Sequence, residues 1–261
     1  MAIIKPFKAY RPIEELASKI AALPYDVMNT EEAREMAKGN KYSFLYVDRG
    51  EINFPEKVNI YGEEVYKESR EVLDKMIENK YYFQDKNSYF YIYRQTMNGK
   101  SQVGLVVCAS VDDYINNVIK KHEKTRADKE LDRINHVDYC DAHTGPIFLT
   151  YRENNDISKI INESIKEKPV YDFISDDGNG HTVWVISNKE KIDKLIRLFN
   201  DVNYMYIADG HHRIKSAVEV CLKRRRENPN YTGKEGFNYF LAIASLTELT
   251  ISSAVNPYFF N

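Results

Sequence analysis

The chain has 261 residues, 43% of them hydrophobic and 29% charged, which is typical of a globular protein with one large domain or two smaller ones. Its 37 Lys and Arg residues against 39 Asp and Glu residues give a formal net charge of -2, which excludes a whole-molecule basic field that would hold DNA or an anionic membrane. Cys108, Cys140 and Cys221 lie far apart without a C-x-x-C pair, which indicates neither a thiolate zinc motif nor a disulfide framework.

The first residues are too poor in apolar side chains for a signal peptide, and no apolar run approaches the length that spans a membrane. With the unpaired cysteines, these observations predict a cytoplasmic protein in a reducing compartment.

The N-terminal part predicts short strands and helices in alternation. Residues 3–10 indicate a strand interrupted by a proline, residues 12–20 a helix with proline in its first turn, and residues 42–47 a further strand. Between them, Tyr25 and Asp26 follow Pro24 on a predicted loop, and Asn29 or Thr30 caps the next helix. Asp26 either closes a turn or faces a ligand, and both interpretations stay open.

A helix and a hairpin follow. Apolar residues recur at helical spacing between residues 59 and 79, and residues 89–94 and 103–109 flank the dipeptide Asn98-Gly99, the strongest short signal for a β-hairpin. Residues 114–119 then predict a short helix.

A dense charged region lies between residues 120 and 136. His122 and Glu123 supply acid and base groups, Thr125 supplies a hydroxyl, and Lys129 and Arg133 share one helix face at i, i+4 spacing, where they form a candidate anion clamp. A solvated loop and helix face is the competing interpretation. The histidines of this region lack a helical metal spacing, so the sequence does not support zinc.

Residues 145–151 predict a turn and a buried strand, 157–165 a helix, and 190–200 a helix. Between the helices, residues 170–175 and 181–186 flank a glycine-containing turn and predict a second hairpin. His181 is either a histidine at the edge of the core or a ligand contact. We expect a single α/β unit over residues 1–261, with hairpins at 80–110 and 165–190 as candidate subdomains and an atypical tail at 245–261.

The densest candidate site is the predicted strand–turn–helix that begins at Met205. An apolar run ends at Asp209 and Gly210, and an amphipathic helix starts with His211, His212 and Arg213. A carboxylate, a glycine that leaves backbone N–H groups uncovered, two imidazoles and a guanidinium suit an anion held at a helix N-terminus, with phosphate as the first candidate. Ordinary turn chemistry with Asp209 as a cap is the competing interpretation.

The helix ends in the basic run Lys223 to Arg226, which either complements the helix dipole or contacts nucleic acid. Residues 237–244 predict a last strand.

Several motifs in this order resemble one family. They are Pro24-Tyr25-Asp26-Val27, His122-Glu123-Lys124-Thr125 with Lys129, Asp132 and Arg133, Gly145-Pro146-Ile147-Phe148, His181 with Trp184, and Ala208-Asp209-Gly210-His211-His212-Arg213. Over most of residues 1–244 this combination resembles the domain-of-unknown-function 1015 proteins. The resemblance implies an α/β fold with a mixed sheet, hairpins and flanking helices, built on a core similar to the ParB and sulfiredoxin superfold. Family members usually extend further at the C-terminus, so this chain is expected to be a shortened form.

A similar Asp-Gly-His-His-Arg turn occurs in the free-serine kinases, so the resemblance implies a phosphotransferase acting on a small hydroxyl-bearing metabolite, with free L-serine as the named candidate. Phosphoryl transfer needs cations and N–H donors around the phosphates, a metal, and a base for the attacking hydroxyl. We expect Mg²⁺ with ATP or ADP as cofactors and a small-molecule substrate, without nucleic acid or membrane as partners.

In that hypothesis Glu123 or His122 is the base, Asp209 holds the metal, and phosphates lie on Gly210, His211, His212 and Arg213 with Thr125, Lys129 and Arg133. Tyr25, Asp26 and His181 are the candidate substrate contacts. A ParB-like protein that binds nucleic acid or a nucleotide, and a regulatory module that binds a ligand without turnover, are the alternatives.

Overall fold

The computed structural model describes residues 1–55, 57–122 and 127–246, with residues 127–129 described by their backbone alone. In these ranges the strands are β1 (Ile4–Lys5), β2 (Tyr10–Pro12), β3 (Tyr82–Gln84), β4 (Phe90–Met97), β5 (Lys100–Ser110), β6 (Ile119–Lys120), β7 (Ile147–Tyr151), β8 (Tyr171–Ile174), β9 (Gly180–Ile186), β10 (Met205–Asp209) and β11 (Tyr239–Leu246). The α-helices are α1 (Ala17–Ile20), α2 (Thr30–Ala37), α3 (Leu45–Asp48), α4 (Glu63–Glu78), α5 (Val111–Ile115), α6 (Ala127–Cys140), α7 (Asn155–Ser164), α8 (Lys189–Asn200) and α9 (His211–Glu227).

Most strands join one mixed sheet. Among the described residues it has nine strands in the order β6-β10-β7-β11-β5-β4-β9-β8, with β1 paired to β5 beside this path. The β6–β10 and β7–β11 pairs are parallel and the other pairs are antiparallel. The prediction of an α/β fold with a mixed sheet, hairpins and flanking helices is therefore confirmed.

Both faces of the sheet are buried because its strands alternate two sets of apolar side chains. One set packs against α7, α8 and α9, through residues such as Ile160, Leu195 and Ile214. The other set packs under the N-terminal segment, which contributes Phe7, Ala9 and Ala17. Burying one Ile, Leu or Phe side chain stabilises the fold by roughly 1.5–3 kcal/mol. Because side chains of β10 pack on both faces of the sheet, the core holds this strand in position.

A third apolar cluster holds the N-terminal layer together. It joins α2, α3 and α4 to Tyr82 of β3 and to Cys140 at the end of α6. Helix α6 also packs against α9. The N-terminal layer is thereby connected to α9 through α6.

Local signals confirm several elements. Asn29 caps α2 in a capping box with Glu32, as the sequence predicts. Asn98 and Gly99 have φ values of 50° and 75° and join β4 to β5 in a two-residue hairpin turn. The second hairpin forms from β8 and β9, and both hairpins lie within the nine-stranded sheet.

Three predicted elements differ from the structure. Pro12 does not lie in the first turn of a helix, because it ends β2 and the helical residues begin at Glu14. Residues 42–47 do not form a strand, because Leu45–Asp48 is a helical turn. The apolar side chains of this segment are buried together in the third cluster, so they do not alternate between a buried and an exposed face as those of a half-buried strand do. Residues 114–119 do not form one helix either. Helix α5 starts earlier, capped by Ser110, and ends at Ile115; Asn117 then takes a φ of 58°, and Ile119–Lys120 pairs with β10.

Candidate functional site

The turn between β10 and α9 presents an uncapped helix N-terminus. Gly210 is the N-cap residue with φ 90° and ψ 32°, and no side chain in the described part of the chain caps the helix. The first hydrogen bond of the helix runs from the Ile214 N–H to the Gly210 carbonyl, at 2.9 Å. Because the first N–H groups of a helix have no partner within it, the start of this 17-residue helix suits an anion.

The three side chains after Gly210 point to three different surroundings. The ring of His211 contacts the ring of the exposed His122 edge to face, with centroids 4.4 Å apart. His212 lines a cleft in front of the helix. Arg213 is 9% exposed and donates from Nη1 to the Pro146 carbonyl and from Nη2 to Asp209 Oδ2, at 2.8 and 2.6 Å.

Two polar atoms at this turn lack a hydrogen-bond partner in the described part of the chain. The Nδ1 of His212 and the Nε of Arg213 are buried and have no hydrogen-bond partner among the described residues. An unpartnered buried polar atom costs roughly 1–3 kcal/mol, so a group that hydrogen-bonded to these two atoms would stabilise the turn. The Arg213 guanidinium thus stabilises the turn with two nitrogens, while its Nε stays buried without a partner among the described residues.

The cleft in front of the turn, which we call the outer cleft, has a volume of about 210 Å³. It separates the N-terminal layer from the start of α9. Its lining combines three carboxylates, two guanidinium groups and a histidine with four aromatic or aliphatic side chains. The lining residues are Tyr25, Asp26, Met28, Arg49, Glu51, Ile60, Tyr61, Asp132, Arg133 and His212.

Two arginines hold Tyr25 in this cleft. The guanidinium of Arg133 lies over the Tyr25 ring, 3.9 Å from its centroid, and its Nε donates to Asp132 Oδ2 at 3.0 Å. Arg49 donates to the Tyr25 carbonyl and pairs with Glu51 at 2.9 Å. Burial raises the pKa of the Tyr25 phenol, although Arg133 lowers it, so Tyr25 stays protonated and can donate a hydrogen bond.

Behind Tyr25 and Arg133 lies a second space, which we call the inner cavity. Its volume is about 30 Å³, and Tyr25 and Arg133 line both it and the outer cleft. Asp48 at the end of α3 lines it together with Thr144 and Arg213. Asp48 is 5% exposed, and burial raises the pKa of its carboxyl to about 6, although a hydrogen bond from Thr144 and the charges of Arg133 and Arg213 lower it.

Two histidines complete the wall of the inner cavity and have structural partners. His136 and His143 have their Nε2 atoms 3.0 and 3.1 Å from the carbonyls of Val47 and Tyr239. Burial lowers the pKa of each imidazole to about 4, so both are neutral near pH 7 and donate to these carbonyls.

The structure brings most of the sequence-predicted residues to one place. Asp209, Gly210, His211, His212 and Arg213 form the turn, and Tyr25, Asp26, Arg133 and His122 lie around it. Glu123 and Thr125 lie outside the described residues, and so does the side chain of Lys129.

His181 does not join this site. It lies on β9, and four strands separate it from β10, which corresponds to about 24 Å of sheet. Its Nδ1 is 2.6 Å from the Tyr93 hydroxyl and its Nε2 is 2.9 Å from Ser175 Oγ. Its surroundings are those of a histidine in the core of the hairpin.

Sequence reasoning missed the contribution of residues 48–51 to the site. Asp48, Arg49 and Glu51 form a charged run directly after the apolar residues 42–47. That abrupt change from apolar to charged residues is the signal that could have identified them.

The basic run at the end of α9 is largely used inside the molecule. Lys223 and Arg224 pair with Asp138 of α6, Arg224 also pairs with Asp141, and Arg225 pairs with Asp112. These pairs connect α9 to α6 and α5 and neutralise much of the positive charge.

The described ranges contain neither a cluster of metal ligands nor a membrane-spanning helix. No group of three or more His, Cys, Asp or Glu side chains there could hold a metal ion. None of the helices in residues 1–55, 57–122 and 127–246 is long and apolar enough to cross a membrane.

Comparison with known proteins gave one match. Residues 4–252 match the model of a family described as proteins of unknown function, DUF1015. A search of curated proteins and a search of solved structures found no match.

Proposed function

The chain belongs to the DUF1015 family, and we propose that it is a phosphotransferase acting on a small hydroxyl-bearing metabolite. The observation that carries this proposal is the uncapped N-terminus of α9, where buried atoms of His212 and Arg213 have no partner among the described residues. The named candidate is a nucleotide-dependent kinase of free L-serine. The same proposal includes a similarity of the chain to the free-serine kinases and a core like that of ParB and sulfiredoxin. The Asp209–Arg213 turn supports it.

The donor is a nucleotide, ATP or ADP, whose terminal phosphates bind the N–H groups of the first turn of α9. His212 adds a donor from the outer cleft, and the Nε of Arg213 adds a charged one. A phosphate group at a helix N-terminus is favoured by both the N–H groups and the helix dipole.

Asp209 is the candidate ligand for Mg²⁺. Its side chain is 57% exposed, and its Oδ2 bonds to Arg213. Because no cluster of three ligands exists in the described ranges, a metal here would take its other ligands from phosphate oxygens and water, as Mg²⁺ commonly does. When bound, Mg²⁺ would neutralise charge on the transferred phosphoryl group.

The acceptor binds in the outer cleft. A free amino acid carries an ammonium and a carboxylate, and the cleft offers the carboxylates of Asp26 and Glu51 beside the guanidinium groups of Arg49 and Arg133. The base predicted from sequence, Glu123 or His122, stays a prediction. His122 lies against His211, which is compatible with that role.

The experiment is phosphoryl transfer by the purified protein. With Mg²⁺, ATP or ADP, and L-serine, we expect phosphoserine, measured by mass spectrometry. We also expect His212→Ala to weaken nucleotide binding at least tenfold, whereas His181→Ala, the same change far from the cleft, leaves it unchanged. Absence of phosphoserine together with unchanged nucleotide binding by His212→Ala would refute the proposal.

The alternative of nucleic-acid binding has no specific observation in its favour. Its sign in the sequence, the run from Lys223 to Arg226, is engaged in ion pairs at Lys223, Arg224 and Arg225. A salt titration distinguishes the two functions, since phosphate contacts along DNA would give a steep loss of affinity with rising salt.

A further inference from the structure

The inner cavity is a small, partly open space next to the outer cleft, and its lining includes the carboxylate of Asp48 and the guanidinium groups of Arg133 and Arg213. Tyr25 and Arg133 form the partition between the two spaces, since both residues line each of them. A volume of about 30 Å³ accommodates roughly one or two water molecules. A hydroxyl or hydroxymethyl group therefore fits there.

Asp48 faces this cavity among groups from several elements. Thr144 donates a hydrogen bond to it from the loop before β7, and the charges of Arg133 from α6, Arg213 from α9 and Asp26 act on it. His136 of α6 and His143 line the same cavity. Tyr82 of β3 and Cys140 of α6 are also close enough for the charge of Asp48 to raise their pKa values.

We propose that the inner cavity receives the hydroxyl of the acceptor and that Asp48 is the catalytic base that takes its proton. This inference rests on the proposed phosphotransferase function. It provides a base within the described residues, independent of Glu123.

The proposed step is balanced by the acceptor and the nucleotide alone. The acceptor O–H bond breaks and its proton passes to the Asp48 carboxylate, while the oxygen forms a bond to the terminal phosphorus of the nucleotide. The bond between that phosphorus and the bridging oxygen breaks, and the shortened nucleotide leaves with the electron pair. The proton on Asp48 then passes to solvent when the phosphorylated product departs.

The carboxylates near the cleft differ in how well they suit this role. Asp132 already accepts from the Tyr66 hydroxyl and from Arg133, and Asp209 accepts from Arg213. Asp48 combines a single hydrogen bond from a side chain with a place on the cavity wall. Its pKa of about 6 leaves it ionised at neutral pH and close to the value that favours proton transfer there.

The test measures transfer from Mg·ATP or Mg·ADP to L-serine between pH 5 and 8. In the wild-type protein we expect kcat to rise with pH around 6 as Asp48 ionises. Asp48→Asn should lower kcat by about 10²–10⁴-fold, the usual contribution of a general base, and leave nucleotide affinity within twofold. Asp113→Asn is the matched control, because Asp113 is also buried with a pKa of about 6 but accepts from the N–H of Ile3, the residue before β1, outside the site. It should change neither kcat nor its pH dependence.

A second variant acts through Asp48 without removing it. Thr144→Val removes a hydrogen bond that lowers the pKa of Asp48, so the rise of kcat should move to higher pH. If Asp48→Asn does not fold, an unshifted profile in Thr144→Val overturns the inference. Transfer by Asp48→Asn within threefold of wild type, with the same pH profile, also overturns it and leaves the proposed function standing. Absence of transfer by the wild-type protein overturns both.

Discussion

Gly210 is the residue on which the uncapped start of α9 depends. Its φ of 90° is in the region that L-residues avoid, and a Cβ there would lie 3.2 Å from Arg213 Nε and 3.4 Å from the Ile147 Cα. A larger residue would therefore strain the turn and displace Arg213.

We expect Gly210→Ala to lower the free energy of unfolding by more than the ~1–2 kcal/mol that a left-handed conformation alone costs. Urea denaturation measures it. Gly39→Ala is the control, because Gly39 has a φ of 77° and its added Cβ would meet no atom within 4 Å. Equal losses in the two variants would show that the contact with Arg213 is unimportant.

His181 gives a prediction on pH dependence. Burial lowers its pKa from 6.5 to about 4, so between these values the unfolded chain binds a proton that the folded protein excludes. Its contribution to stability is present above pH 6.5 and is lost as the pH falls toward 4. We expect His181→Gln to reduce the slope of the unfolding free energy against pH by up to about 1.4 kcal/mol per unit in this window.

The matched control keeps the imidazole. Ser175→Ala removes the hydroxyl 2.9 Å from His181 Nε2, so it should lower stability without flattening the slope. A slope that is unchanged in His181→Gln, measured by urea denaturation at several pH values, would contradict a neutral buried His181.

Ion pairs stabilise the packing of α6 against α9, the two helices that carry Arg133 and Arg213 of the site. Asp138 pairs with both Lys223 and Arg224 and is 19% exposed. We expect Asp138→Ala to lower the unfolding free energy by about 1 kcal/mol, an effect that weakens at high salt because these pairs are partly solvated. Glu63→Ala, which breaks the exposed pair with Lys67, should produce no measurable change by thermal denaturation. Equal effects would contradict a stabilising role for the α6–α9 pairs.

Elements with a complete local signal could be predicted from the sequence. Asn98-Gly99 specifies a hairpin turn because both residues tolerate positive φ, and Asn29 with Glu32 specifies the start of α2. Residues 42–47 could not be assigned, because a short apolar run buried on all sides has neither the period of a helix nor that of a strand. Its environment, the third apolar cluster, is assembled by distant residues.

At the scale of the whole molecule, the site depends on which elements meet. The turn at Asp209 to Arg213 is contiguous in sequence and could be predicted. The inner cavity could not, because Asp48 reaches Arg213 only after α6 packs against both α4 and α9. A site formed by consecutive residues can be predicted from the sequence, whereas one that distant elements form by packing together cannot.

The docking of an anion at the start of α9 is tested most directly by backbone amide NMR of the ¹⁵N-labelled protein during titration with Mg·ATP. We expect saturable shifts that are largest for the amides of His211, His212 and Arg213, because the phosphates accept hydrogen bonds from these N–H groups. The amides of His181 and its hairpin neighbours should stay in place. Shifts that are absent from the start of α9, or that are larger elsewhere in the described ranges, would contradict the proposed site.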